Sequence, residues 1–134
     1  MIIIPAPLFP LDYIKPKELV ILGDVIEDRG SRYSVSVFPL STMNEIGGLL
    51  ESCDPKATHN SYARRILQAD GSIHQECNDD GETWAGQIIL KELERHQMVD
   101  VLLVVTRYFG GVKLETDRYK HVVDACRMGL RRAM

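Results

Sequence analysis

The sequence predicts an α/β (α+β) domain: a two-layer sandwich with a mixed β-sheet and helices mainly on one face. Three observations carry that expectation. Residues 31–38 alternate, with Tyr33, Val35 and Val37 on one side and Ser34 and Ser36 on the other, the period of a half-buried strand. Val101-Leu102-Leu103-Val104-Val105 is an unbroken apolar run, as in a strand covered on both faces. Apolar residues also recur at helical spacing after residue 85 and again after residue 119, so helices interleave with strands.

The elements follow in order. Residues 1–18 hold four of the six prolines, which lack an amide donor and restrain their neighbours. This stretch is expected to be an extended arm with no regular element, packed through Ile2, Ile3, Ile4, Leu8, Phe9 and Tyr13 on the domain or on a partner. Residues 19–134 form the domain proper. A strand starts at Leu19 and fades near Ile26, and the turn residues Glu27-Asp28-Arg29-Gly30 join it to the alternating strand as a hairpin. Thr42-Met43-Asn44-Glu45 fits a capping box opening a short helix. Within that helix, Gly47 and Gly48 suggest a close approach to the sheet. Tyr62–Leu67 reads as a strand, Asp70-Gly71 as a tight turn and Ser72–Cys77 as the returning strand. A helix is expected from Thr83 to Gln97. After the apolar strand and a glycine loop, a last helix runs from Thr116 to about Arg132, with Tyr119, Val122, Val123, Cys126 and Leu130 as its stripe.

The bulk numbers fit a single globular domain of 134 residues. Sixteen basic residues against nineteen acidic give a net charge of −3, which argues against a nonspecific binder of phosphate backbones. Three cysteines, Cys53, Cys77 and Cys126, form no CxxC pair, so neither a disulfide framework nor a structural zinc site is expected. A reducing, cytoplasmic setting fits best. The apolar start is broken by Pro5, Pro7 and Pro10 and is not read as a signal peptide. No run reaches the ~18 apolar residues of a membrane span.

Two stretches are explained least by folding needs alone. Asn78-Asp79-Asp80-Gly81-Glu82-Thr83-Trp84-Ala85-Gly86 packs three acids into a turn that feeds a helix. Their oxygens could bind a divalent cation or act as an acid/base pair, but they could equally stabilise the positive end of the helix. Thr106-Arg107-Tyr108-Phe109-Gly110-Gly111-Val112-Lys113 sets cations, aromatics and glycines just past the apolar strand. Gly110-Gly111 could bring amides to an anion, or serve only as a bend needing positive φ. Neither GxGxxG nor a Walker motif is present. Arg107, Lys113 and Arg118 could meet an anion or pair with the acidic turn, and pairing across the loops suits an acidic protein better. His59 with a cysteine would suggest a nucleophile, but sequence alone does not place the two together, and an isolated His is more often structural or exposed. Tyr108 and Phe109 invite base stacking, and Trp84 is either buried or an anchor for a partner.

Together these motifs resemble the IMPACT family. The resemblance rests on Asp79-Asp80-Gly81-Glu82-Thr83-x-Ala85-Gly86, on Val104 to Leu114, on Asp117-Arg118-Tyr119-Lys120-His121 and on Ala57-Thr58-His59-Asn60-Ser61-Tyr62-Ala63. It spans residues 20–132 and looks closer to the eukaryotic branch than to the bacterial YigZ branch. It implies a fold like domain IV of elongation factor G and the second domain of a small-subunit ribosomal protein. It also implies a regulator of translation, one that competes for the large coactivator of the general-control kinase in amino-acid starvation. Neither the RWD domain usual in eukaryotic members nor the ferredoxin-like domain usual in bacterial ones is expected within this chain. Trp84 and Glu115 depart from the family pattern, which has small residues there.

The resulting expectation is a non-enzymatic module that works by protein contact and needs no cofactor or metal. Its partner would be that coactivator or a ribosome-associated factor, with no membrane involved. RNA or ribosome binding is the alternative, and a small-molecule hydrolase the third reading. The binding surface is expected at Asp79, Asp80, Gly81, Glu82, Thr83, Arg107, Tyr108, Gly110, Gly111, Lys113, Arg118 and His59.

Overall fold

A computed structural model describes residues 1–9, 11–41 and 45–134. Its elements are β1 (Ile2–Ile4), β2 (Val20–Asp28), β3 (Ser31–Pro39), α1 (Ile46–Glu51), β4 (His59–Leu67), β5 (Ile73–Asn78), α2 (Ala85–Arg95), β6 (Val101–Tyr108) and α3 (Asp117–Ala133). The six strands form one sheet in the order β1-β5-β4-β6-β3-β2.

The two-layer α+β class holds, but the sheet is antiparallel throughout instead of mixed. The cause is the place of β6. The hairpins β2–β3 and β4–β5 pair locally, and β6 inserts between β3 and β4, antiparallel to both. A single parallel bridge, Ile14 to Met98, lies outside the named strands.

Strand alternation divides the core in two. Tyr33, Val35 and Val37 of β3, Ala63 of β4 and Val101, Leu103 and Val105 of β6 face α2 and α3, joining Ile89, Leu93, Val122, Cys126 and Leu130. Leu102 and Val104 face the other way, onto Phe38, Leu40, Ile66 and Ile46 of α1. The apolar run of β6 is therefore covered on both sides, as its composition requires. Gly129 lets α3 lie close to β3, since a Cβ there would stand 2.8 Å from Val35 Cγ2.

Several boundaries differ from the sequence reading. Residues 2–4 form an edge strand on β5, where an arm without any element was expected. The arm is also tied further along, by Ile14 to Gln97 and Val99 and by Lys17 to Ala133, so it packs on the domain. β2 continues past Ile26 to Asp28, with an irregular register between Leu22 and Ile26 where Asp24 takes a positive φ. β4 begins three residues early, at His59. The expected capping box falls on residues 42–44, outside the described residues. The Glu45 carboxylate accepts the Ser41 amide at 2.8 Å. Gly47 and Gly48 give no close approach, because each Cβ position opens onto free space.

α2 starts at Ala85, not Thr83. Trp84 holds φ 72°, a left-handed conformation that helical residues do not share, so the helix begins after it.

Candidate functional site

The site grows from one row of the sheet. Arg107 pairs with Tyr33 of β3 on one side and with His59 of β4 on the other, and all three point toward the helix layer. Here the helices have not yet begun. The turn before α2 and the loop before α3 fill the gap and close a cleft of about 370 Å³. β4 and β6 supply His59 and Arg107 to its wall, the acidic turn supplies Gly81, Glu82 and Thr83, and the glycine loop and α3 supply Phe109, Lys113, Glu115 and Arg118.

Glu82 sits at the centre and is buried. Its Oε2 accepts Arg107 Nη1 at 2.7 Å, Arg118 Nε lies 3.5 Å from its Oε1, and His59 Nε2 is 3.7 Å from Oε2. His59 Nδ1 lies 2.8 Å from the Asp80 carbonyl. A carbonyl only accepts, so Nδ1 carries the proton and Nε2 is the nitrogen turned toward Glu82. Arg107 is buried too. Its Nη2 reaches Ser31 Oγ at 3.4 Å, and its guanidinium lies 5.5 Å from the Tyr33 ring centre and 5.7 Å from that of Phe109. Burial first, then the neighbouring Glu82 charge, pushes the Tyr33 phenol up to about 12 against the pull of Arg107. The Arg118 guanidinium is held more firmly protonated, chiefly by its bond to the Tyr119 hydroxyl.

The other two acids of the turn serve the fold. Asp79 Oδ1 accepts the Gly86 amide at 2.8 Å and its Oδ2 the Trp84 amide at 3.1 Å, capping α2 from five and seven residues upstream. Its carbonyl takes the Ser61 hydroxyl at 2.6 Å. Asp80 Oδ2 accepts the Asn60 amide at 2.7 Å and so ties the turn to β4. No three His, Cys, Asp or Glu side chains converge as a metal would need among the described residues. Burial pushes the thiols of Cys53, Cys77 and Cys126 up, away from the thiolate a nucleophile requires.

The glycines divide the work of the loop. A Cβ on Gly110 would overlap the Gly30 carbonyl, so this residue lets the loop cross the β2–β3 turn. Gly111 holds φ 91° and faces open space. Tyr108 does not join the cleft. It stands on the opposite face of the sheet, its hydroxyl donating to Asp54 Oδ2 at 2.7 Å and its ring under the Arg32 guanidinium at 4.4 Å. That bond holds the Asp54 carboxyl below its ordinary range and the Tyr108 phenol above its own.

Of the expected surface, then, Gly81, Glu82, Thr83, Arg107, Lys113, Arg118 and His59 line one cleft, Asp79 and Asp80 brace its floor, Gly110 and Gly111 shape its loop, and Tyr108 lies elsewhere. Sequence reasoning missed Tyr33 and Ser31. Their place beside Arg107 follows from the β3–β6 register, of which the sequence carries no local signal. Trp84 and Phe109 are about half exposed at the two loops that form the cleft.

The family model described as the Impact N-terminal domain matches residues 29–130, which takes in every element from β3 through most of α3. The chain belongs to the IMPACT family. It is 34% identical over 114 residues to Protein IMPACT of Xenopus laevis, covering 81% of this chain and 36% of that protein. Protein IMPACT of Homo sapiens is 35% identical over 111 residues, 78% of this chain and 35% of its own length. The IMPACT homolog of Dictyostelium discoideum reaches 45% over 69 residues, 52% of this chain and 20% of that one. The chain thus spans about a third of the length of the vertebrate relatives it matches. Among solved structures, a hypothetical protein superposes with a TM-score of 0.70 at 21% identity, over 98% of this chain and 61% of that one, a likeness of fold. The two-domain translational regulator Yih1 superposes with a TM-score of 0.55 at 28% identity, over 95% of this chain and 49% of Yih1.

Proposed function

We propose that this IMPACT-family chain is a non-enzymatic binding module that regulates translation by protein contact, through the cleft between the acidic turn and the glycine loop. The observation that carries the reading is the Glu82–Arg107 pair. It ties the turn before α2 to the end of β6, beside the exposed aromatics Trp84 and Phe109. Exposed aromatic anchors beside a preformed cleft suit a protein partner. The translational role is carried over from Yih1, and the resemblance to the eukaryotic branch nominates the coactivator of the general-control kinase or a ribosome-associated factor as partner. Arg107 and Arg118 both face Glu82, which leaves few cations for a phosphate backbone and favours protein over RNA. Asp79 and Asp80, which could have served a hydrolase, hold backbone amides, and Glu82 faces the Arg107 and Arg118 guanidinium groups.

Charge reversal at Asp80 or Arg107 would disturb the fold, so the test uses exposed positions. Crosslinking mass spectrometry from native extract should find partners on Trp84, Phe109 and Lys113. Trp84→Ala with Phe109→Ala should lose them while circular dichroism stays unchanged. Retention of every partner by the folded double variant would overturn the surface assignment.

A further inference from the structure

We infer that the chain forms a two-fold dimer through its β1 edge, with β1 of one copy pairing antiparallel to β1 of a second copy. The sheet ends in β1 on one side and β2 on the other, and the two edges are built differently. β2 carries Asp24, Glu27 and Asp28 and breaks its register between Leu22 and Ile26. Charge and irregularity of this kind keep an edge from pairing. β1 has neither. It is three consecutive isoleucines in regular register with β5, and no side chain from Met1 to Leu11 carries a charge. Its outer side presents backbone amides and carbonyls that another strand can pair.

The arm that follows enlarges the same edge. Ala6 lies against Gly71 in the β4–β5 turn, and the chain is next tied to the domain at Ile14. Between these points Leu8 is 96% exposed and Phe9 78%, while Ile2, Ile3 and Leu11 are each about half exposed. Monomers rarely leave so many large apolar side chains together in water.

Two features commit the edge to a second copy. A two-fold axis through Ile3 sets that residue against its own mate and Ile2 against Ile4 of the other copy. Like charges directly opposite one another are destabilising, so only an uncharged strand can face itself without penalty, and β1 is one. The area also suffices. At these exposures residues 2–4, 8, 9 and 11 of one copy offer roughly 650 Å², so two copies reach the ~1,200 Å² at which stable interfaces begin. Pro5 ends the strand after Ile4, so the ladder is short and Leu8, Phe9 and Leu11 supply much of the buried surface. A contact of this symmetry closes at two copies. None of the residues lining the cleft lies on this edge, so the dimer stands or falls apart from the partner reading.

Sedimentation equilibrium of the intact chain, from micromolar to submillimolar concentration, tests it. The mass should rise from 15.2 kDa to twice that value and stop there. Ile3→Lys sets a cation against its own mate and should hold the chain at 15.2 kDa. Leu8→Ser with Phe9→Ser changes only exposed side chains, and circular dichroism should stay unchanged. That double variant should raise the dissociation constant by at least about tenfold, the least that burying a Leu or a Phe contributes. Ile3→Cys, oxidised, should give a covalent dimer joined at position 3, as peptide mapping would read. A monomer across the whole concentration range overturns the dimer. So does a dimer undiminished in both Ile3→Lys and the Leu8, Phe9 variant, or growth beyond two copies. A covalent dimer joined through Cys53 or Cys77 and not through position 3 overturns the β1 register.

Discussion

The Glu82 carboxylate and the Arg107 guanidinium meet at 2.7 Å with both side chains more than nine-tenths buried. They come from the turn before α2 and from the C-terminal end of strand β6, and no other ion pair joins these two segments among the described residues. Removing one partner strands the other in a desolvated site. Arg107→Met or Glu82→Leu alone should cost about 3–5 kcal/mol in urea denaturation. The double variant should cost clearly less than the sum of the two. Single variants within about 0.5 kcal/mol of the parent would show that the pair does not hold the turn to the strand.

Asp79 caps α2 without preceding it directly, accepting amides at Trp84 and Gly86. Asp79→Ala should therefore destabilise the domain by about 1–2 kcal/mol, as the loss of a helix cap does. Asp79→Asn, which keeps one acceptor oxygen, should recover part of that loss in thermal denaturation.

Tyr33 carries a buried hydroxyl with no acceptor among the described residues. Tyr33→Phe removes that group and keeps the ring against Arg107 and His121, whose ring centre lies 5.3 Å away. The variant should be as stable as the parent or more stable, by up to about 1 kcal/mol. A clear loss would mean the hydroxyl is hydrogen-bonded in solution.

Asp28 gives the domain an acid-sensitive clasp. Arg29 first, and His121 second, hold its carboxyl down at about 2, against an ordinary value of 3.8. A lowered carboxyl binds its proton less tightly folded than unfolded, so its contribution is present above pH 3.8 and is lost as the pH falls toward 2. Asp28→Asn should flatten the fall in stability across that window, read from urea denaturation at a series of pH values. His121 Nε2 lies 2.7 Å from Asp28, so the clasp ties α3 to the β2–β3 turn.

Gly110 tolerates no side chain. Gly110→Ala should cost about 1–3 kcal/mol, because its obstacle is the Gly30 backbone, which cannot rotate away. Gly111→Ala tests a different cause, positive φ in open space, and should cost about 1 kcal/mol.

What the sequence made legible were the features with a local period. β3, β6 and α3 lie within a residue or a few of their expected bounds, because alternation, an apolar run and a helical stripe are written in consecutive residues. Pairing between the acidic turn and the basic loop was legible from charge alone. Tyr108 stands apart from the cleft because strand parity turns it to the face opposite Arg107, a separation that grouping the loop by composition does not reveal. β1 was missed because three isoleucines before a proline show no alternation; only the free edge of β5 makes them a strand. The antiparallel sheet was missed because β–α order alone does not reveal that β6 inserts between two earlier hairpins.

That insertion makes the last strand the one the whole sheet depends on. β6 is the sixth strand to leave the ribosome, yet it is the bridge between two hairpins that otherwise share no edge. Its partners in β3 are paired across long stretches of chain, Arg32 with Tyr108 and Pro39 with Val101. Without β6 the two hairpins would have open inner edges and no shared core, and an isolated hairpin is marginal in water. Completing the sheet therefore depends on contacts between distant parts of the chain, the kind of topology that goes with slower folding.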